Sequence, residues 1–170
     1  MRKLASLFGP MLLVAGTACL LPGAGILAAT DSAGQASAAD ADRIVGTWMN
    51  GKKTAHIRIE NVGGKYFGTI VFLTEPVYPP GDKGGMAGKP KVDRENPDPS
   101  KRAEPIVGLR ILRDFVFKND NLWENGRIYD PENGKDYKCK MTLRSPDVLD
   151  VRGFIGISLI GRTDTWTRVK

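Results

Sequence analysis

The stretch Asp136-Tyr-Lys-Cys-Lys-Met-Thr-Leu-Arg144 alternates without a break. Tyr137, Cys139, Met141 and Leu143 fall on one side of a pleat, and Asp136, Lys138, Lys140, Thr142 and Arg144 on the other. A helix would scatter those four apolar side chains around its axis, so the period of two predicts a strand with one face in a core and one in water. The rhythm recurs on both sides. In 53–60, Ala55, Ile57 and Ile59 oppose His56, Arg58 and Glu60, and in 148–155 Leu149, Val151, Gly153 and Ile155 are expected to face inward. Turn chemistry separates the runs at Asn61-Val62-Gly63-Gly64, Lys118-Asn119-Asp120-Asn121 and Pro131-Glu132-Asn133-Gly134.

Together these signals place strands near 44–50, 53–60, 65–73, 107–117, 122–129, 135–144, 148–155 and 157–169. About eight antiparallel strands joined in order predict an all-β fold, a single antiparallel up-and-down β-barrel that closes to remove its edges, with a sandwich as the competing architecture. A barrel of that strand number can fill its interior with side chains or hold one small ligand. Residues 74–105 break the rhythm. Pro76, Pro79, Pro80, Pro90, Pro97 and Pro99, with Pro105 closing the segment, exclude a ladder strand and predict a long Pro/Gly-rich loop, either ordered or a mobile lid.

The chain has 170 residues, room for one domain, with 41% hydrophobic and 26% charged residues, a globular balance. Arg2 and Lys3 precede a charge-free run from Leu4 to Ala29, followed by small residues, the pattern of a Sec-type secretory signal. Residues 1–38 are therefore read as a signal peptide cleaved after Ala38, with cleavage after Ala29 and an uncleaved anchor as alternatives, and 39–170 as the barrel domain. Gly16-Thr17-Ala18-Cys19 is a poor lipoprotein match, because Leu20 and Leu21 continue the apolar run. Cleavage after Ala38 removes Arg2, Lys3 and Asp31, leaves a net charge of +5, and leaves Cys139 as the one cysteine, which has no partner for an internal disulfide. The expected location is periplasmic or secreted, with no stable membrane span after cleavage.

A set of residues spread over the mature chain carries a family resemblance. Gly46-Thr47-Trp48 opens the first strand and Trp166-Thr167-Arg168 ends the last. Between them stand Asp93, Asn96-Pro97-Asp98-Pro99, Gly108-Leu109, Ile128-Tyr129-Asp130-Pro131, Gly134, Tyr137, Val151-Arg152-Gly153, Gly156 and Gly161-Arg162-Thr163. This set resembles the secreted bacterial family catalogued as domain of unknown function 2147 (DUF2147). The resemblance implies a lipocalin-like barrel in the cell envelope, with Trp48 packed at the closed end under Arg168 as a structural cation–π pair. It implies no particular activity.

Candidate chemistry is sparse. His56 is the one histidine and is expected to point outward, and Cys139 shares the buried face, where a thiol behaves as a small hydrophobe rather than a nucleophile. No catalytic group, metal site or cofactor is assigned. Asp93, Glu95, Asn96 and Asp98 set oxygen ligands close together, but Asn-Pro and Asp-Pro steps cap their own turns, so a rigid turn is the expected role. Basic side chains at Lys52, Lys53, Arg58, Lys65, Lys138, Lys140 and Arg144 read as a solvated outer face, with attraction to an anionic partner as the functional alternative. Arg152 and Arg162 are expected to fold over a barrel end, to face a ligand carboxylate, or to pair with Asp150 or Asp164. An exported protein without an aromatic ladder beside its basic residues is not expected to bind nucleic acid.

The expected function is that of a noncatalytic envelope protein binding a small hydrophobic or anionic amphipathic ligand, lined by Ile57, Tyr66, Ile70, Tyr137, Met141, Leu149 and Val151. The alternative is a packed barrel that docks an envelope protein through the 74–105 loop, with Asp93, Asn96 and Asp98 at the contact.

Overall fold

A computed structural model of the chain describes residues 39–170; the expected signal peptide and Cys19 lie outside the described residues. Eight strands follow in order: β1 (Gly46–Met49), β2 (Ala55–Val62), β3 (Lys65–Leu73), β4 (Arg110–Asn119), β5 (Leu122–Asp130), β6 (Lys135–Ser145), β7 (Val148–Phe154) and β8 (Gly161–Arg168). Each pairs antiparallel with the next, and β1 pairs with β8 through Trp48↔Arg168 and Met49↔Thr167, so the sheet is a closed up-and-down barrel and not a sandwich. Closure follows from the alternation, because every strand has one apolar face to bury and the ring leaves no edge unpaired.

Curvature enters at register shifts in several ladders, two of them at bulges where a non-glycine residue takes positive φ. Asp114 in β4 and Asn125 in β5 adopt positive φ, and the ladder shifts register around Asn125. A bulge adds one residue to a strand, bends it and re-aims the side chains on either side. Two glycines make room for the large groups so directed. A Cβ on Gly68 would come within 2.9 Å of the Leu112 side chain, and one on Gly126 would overlap the Phe115 ring.

One end of the barrel is closed by aromatic residues and by the chain that leads into β1. Trp48 is fully buried, and its Nε1–H donates to the Ile44 carbonyl at 2.8 Å. The Arg168 guanidinium lies 4.2 Å from the centre of the Trp48 ring and donates to the carbonyls of Pro146, Val45 and Arg43. Gly46 completes this arrangement, since a Cβ there would press to 2.7 Å on Arg168 Nη1. Trp123 Nε1–H donates to the Ala41 carbonyl, and the Tyr66 hydroxyl to the Asp42 carboxylate at 2.8 Å. Burial and the Asp42 carboxylate together push the Tyr66 phenol well above its ordinary value.

Two sequence expectations change. The last strand begins at Gly161, not at 157, and Ile155 is exposed rather than inward. The cause is a loop over 155–160 in which Gly156 takes φ +69° and the Ile155 N–H bonds back to the Ile160 carbonyl. Arg152 holds this loop, donating to the carbonyls of Ser158 and Leu159 and to the Thr163 hydroxyl, instead of pairing with Asp150 or Asp164. Those two acids are engaged elsewhere, Asp150 with Arg144 and Asp164 with the Trp166 indole.

Candidate functional site

The barrel interior is the first place to look for a site. Ile57, Tyr66, Ile70, Met141, Leu149 and Val151 all face it, as their alternation requires, and none is more than 4% exposed. Trp48, Leu112, Phe115 and Trp123, which complete the filling, are 0% exposed. A group that no water-sized sphere can touch borders neither solvent nor an internal void, so these side chains pack on one another at interior density. Tyr66 meets Trp123 edge-on at 6.2 Å between ring centres, and Phe117 tilts against the same indole at 5.1 Å. Six of the seven residues expected to line a ligand chamber are thus core in this structure. The seventh, Tyr137, is half-buried at the mouth, where Asn133 reaches its hydroxyl.

The mouth is covered on one side by the Pro-rich segment between β3 and β4, which is an ordered loop. Isolated bridges Val77↔Pro90, Tyr78↔Ala87 and Val92↔Pro105 fold it on itself. Buried Tyr78 donates its hydroxyl to the Val92 carbonyl and carries Arg94 over its ring at 4.3 Å, while Arg94 also binds Asp82 at 3.0 Å. The loop re-enters the sheet beside β3, where the Ile70 N–H donates to the Leu109 carbonyl and the Ile70 carbonyl accepts from the Gly108 N–H.

Asp93, Asn96 and Asp98 build this loop rather than present one surface. Asp93 is fully buried; its two carboxylate oxygens accept from the Tyr129 hydroxyl at 2.8 Å and from Asn96 Nδ2 at 2.7 Å. Burial and the Asp93 carboxylate push the Tyr129 phenol well above its ordinary value. Asn96 is itself buried and accepts from the Asp98 N–H, and exposed Asp98 caps the turn Pro99–Lys101 through Ser100. The Ser100 hydroxyl and N–H hold the Asp98 carboxyl below the usual range. Asp93 and Asn96 therefore correct the expectation of a contact set: a partner cannot reach them, and they lock the loop to β5. The sequence pointed to these residues through the family pattern, but the link from Asp93 to Tyr129 is nonlocal and carried no local signal.

The remaining candidates stand apart. His56 points outward and packs on Phe72, ring centres 4.8 Å apart. Cys139 is buried, and burial pushes its thiol up to about 12, far from a nucleophilic thiolate at neutral pH. Among the described residues no group of three or more His, Cys, Asp or Glu side chains is placed to hold a metal ion, and no helix is long and apolar enough to cross a membrane.

A closed eight-stranded antiparallel barrel, capped by a Gly-x-Trp strand under an arginine of the last strand, defines a lipocalin-like protein. The sequence pattern of the family described as "Uncharacterized protein conserved in bacteria (DUF2147)" matches residues 46–168, and the chain belongs to that family. Its fold is similar to that of protein HP1028 from the human pathogen Helicobacter pylori, described as belonging to the lipocalin family. The two are 21% identical with a TM-score of 0.62 over 75% of this chain and 83% of that one. No curated protein matches the chain.

Proposed function

We propose that the protein is an exported, noncatalytic binding barrel of the cell envelope, periplasmic or secreted, that makes its contacts through the loops at its mouth. The observation that carries this reading is the filled interior: Trp48, Leu112, Phe115, Trp123, Met141 and Leu149 leave no space beside them for a ligand. Export is supported by the leader-like residues 1–38, and a noncatalytic role by an outward His56 and a buried, protonated Cys139. The rigid 74–109 loop suits docking of an envelope protein, because its shape is set before a partner arrives and little ordering entropy is lost on binding. Its exposed apolar side chains, Val77 and Val107, and exposed Asp98 are the accessible contact points.

Native mass spectrometry of the protein purified gently from its own envelope tests this reading. The expected result is a bare polypeptide mass. A reproducible extra mass removed by organic solvent would overturn it in favour of a carrier whose core residues part around a small hydrophobic or anionic amphipathic ligand.

A further inference from the structure

The loop joining β7 to β8 reads Ile155-Gly-Ile-Ser-Leu-Ile160 and stands out from the mouth of the barrel. Four of its six residues are large aliphatics exposed by 69% (Ile155), 60% (Ile157), 85% (Leu159) and 68% (Ile160). The other exposed large apolar residues are scattered along the described chain as single positions, none above 58%. Scattered apolar side chains are ordinary on a protein surface, whereas a contiguous apolar tip marks a place where something else is met.

The backbone of the tip is prepared for leaving water. The Ile157 carbonyl accepts from the Ile160 N–H, the Ser158 and Leu159 carbonyls accept from Arg152, and the Ile160 carbonyl accepts from the Ile155 N–H. Four consecutive carbonyls are thus satisfied inside the protein, although water would serve an exposed loop equally well. Internal satisfaction lowers the cost of moving a backbone segment into an apolar medium.

Positive charge lies beside the apolar tip. Arg113, Arg127 and Lys138 stand in register across β4, β5 and β6, and the next position in that row is Phe154, at the root of the loop. Asp136 is shared by Arg113 and Arg127, while Lys138 and Arg162, both exposed, form no ion pair among the described residues. A shallow concavity of about 190 Å³ opens between this row and the loop, walled by Arg127, Asp136, Tyr137, Lys138, Phe154 and Ile155. A convex aliphatic tip with cations one side chain back complements a surface that is anionic outside and hydrocarbon beneath.

We propose that residues 155–160 insert into the interfacial region of an anionic phospholipid bilayer, with Lys138 and Arg162 against lipid phosphates, so that the barrel sits mouth-first on the membrane. This does not rest on the filled interior, and discovery of a carried ligand would leave it standing.

The test is flotation of the protein, as its host cell processes it, with phosphatidylethanolamine–phosphatidylglycerol vesicles and with phosphatidylcholine vesicles; the N-terminus is checked by mass so that retained leader is recognised. The wild type should float with the anionic vesicles, less so with neutral ones and less at high salt. Replacing Ile157→Asp and Leu159→Asp together should lower partitioning by about tenfold or more, with circular dichroism unchanged because both side chains are exposed. Leu159→Trp should keep binding and shift its emission to the blue on anionic vesicles. Three results would each overturn the proposal: no flotation, flotation indifferent to the aspartate pair, or an unshifted tryptophan. The first of these, combined with capture of one envelope protein that requires Leu159, would reassign the tip to a protein groove.

Discussion

The Trp48 indole is enclosed on every side, its one polar atom bonded to the Ile44 carbonyl and one ring face covered by Arg168. Truncation therefore leaves a cavity, an orphaned carbonyl and an uncovered guanidinium at the barrel's closed end. Trp48→Ala should cost about 3–5 kcal/mol in urea denaturation, the usual range for a fully buried aromatic. A cost under about 0.5 kcal/mol, that of an ordinary surface change, would contradict the closed end described above. Cys139 gives a second prediction. Burial in the folded chain pushes its thiol from an ordinary value of 9.0 up to about 12. At neutral pH both states are protonated and the difference is silent. Above about pH 9 the unfolded state ionises first, so stability falls as pH rises, by up to about 1.4 kcal/mol per pH unit for each such group. Tyr66 and Tyr129, both shifted upward, add to the same alkaline loss. Melting temperature followed through this range should decline, and Cys139→Val should delay the onset; a melting curve flat from pH 9 to 11 would refute the account.

Among the elements, the long loop is where local geometry and nonlocal contact meet. Tyr129→Phe deletes the hydroxyl that serves Asp93 and leaves a buried carboxylate oxygen unpaired, which should cost about 1–3 kcal/mol. Faster amide exchange in 92–105, with the barrel strands unaffected, would locate that loss in the loop. Gly134 supports the same contact from the β5–β6 turn. It holds φ +68°, and a Cβ there would collide with the Glu95 carbonyl oxygen. Gly134→Ala should therefore loosen the loop as well as strain the turn. These elements also show how far alternation alone can be read. β6 was legible in full, because nothing interrupts its period of two between Tyr137 and Leu143. β4 and β5 were legible as strands but not as faces, since one extra residue at a bulge exchanges inside for outside. The aliphatic 155–160 segment read as strand because Ile and Leu carry a strand's composition. Only Arg152, reaching across from β7, folds it into a loop. Asp93, Asn96 and Asp98 were found as a motif; what Asp93 does depends on Tyr129, 36 positions away.

For the whole molecule, the decisive property is that the barrel is filled. Met141 is fully buried and Val151 nearly so, facing each other across the β6–β7 ladder. In a barrel with a chamber, Met141→Trp would occupy the chamber and leave stability almost unchanged. In this one the larger ring has nowhere to go, and the substitution should cost about 1–3 kcal/mol, read from the urea midpoint at constant slope. The closure that makes the filling possible also orders events in time. β1 finds its second neighbour only in β8, through Trp48↔Arg168 and Met49↔Thr167, and Arg168 is also the residue that covers Trp48. While a ribosome is still making the chain, seven strands can form hairpins, but both flanks of that sheet stay open and the indole stays uncovered. The barrel cannot shut until β8 arrives. A chain stopped short of Gly161 should therefore remain an open, aggregation-prone sheet.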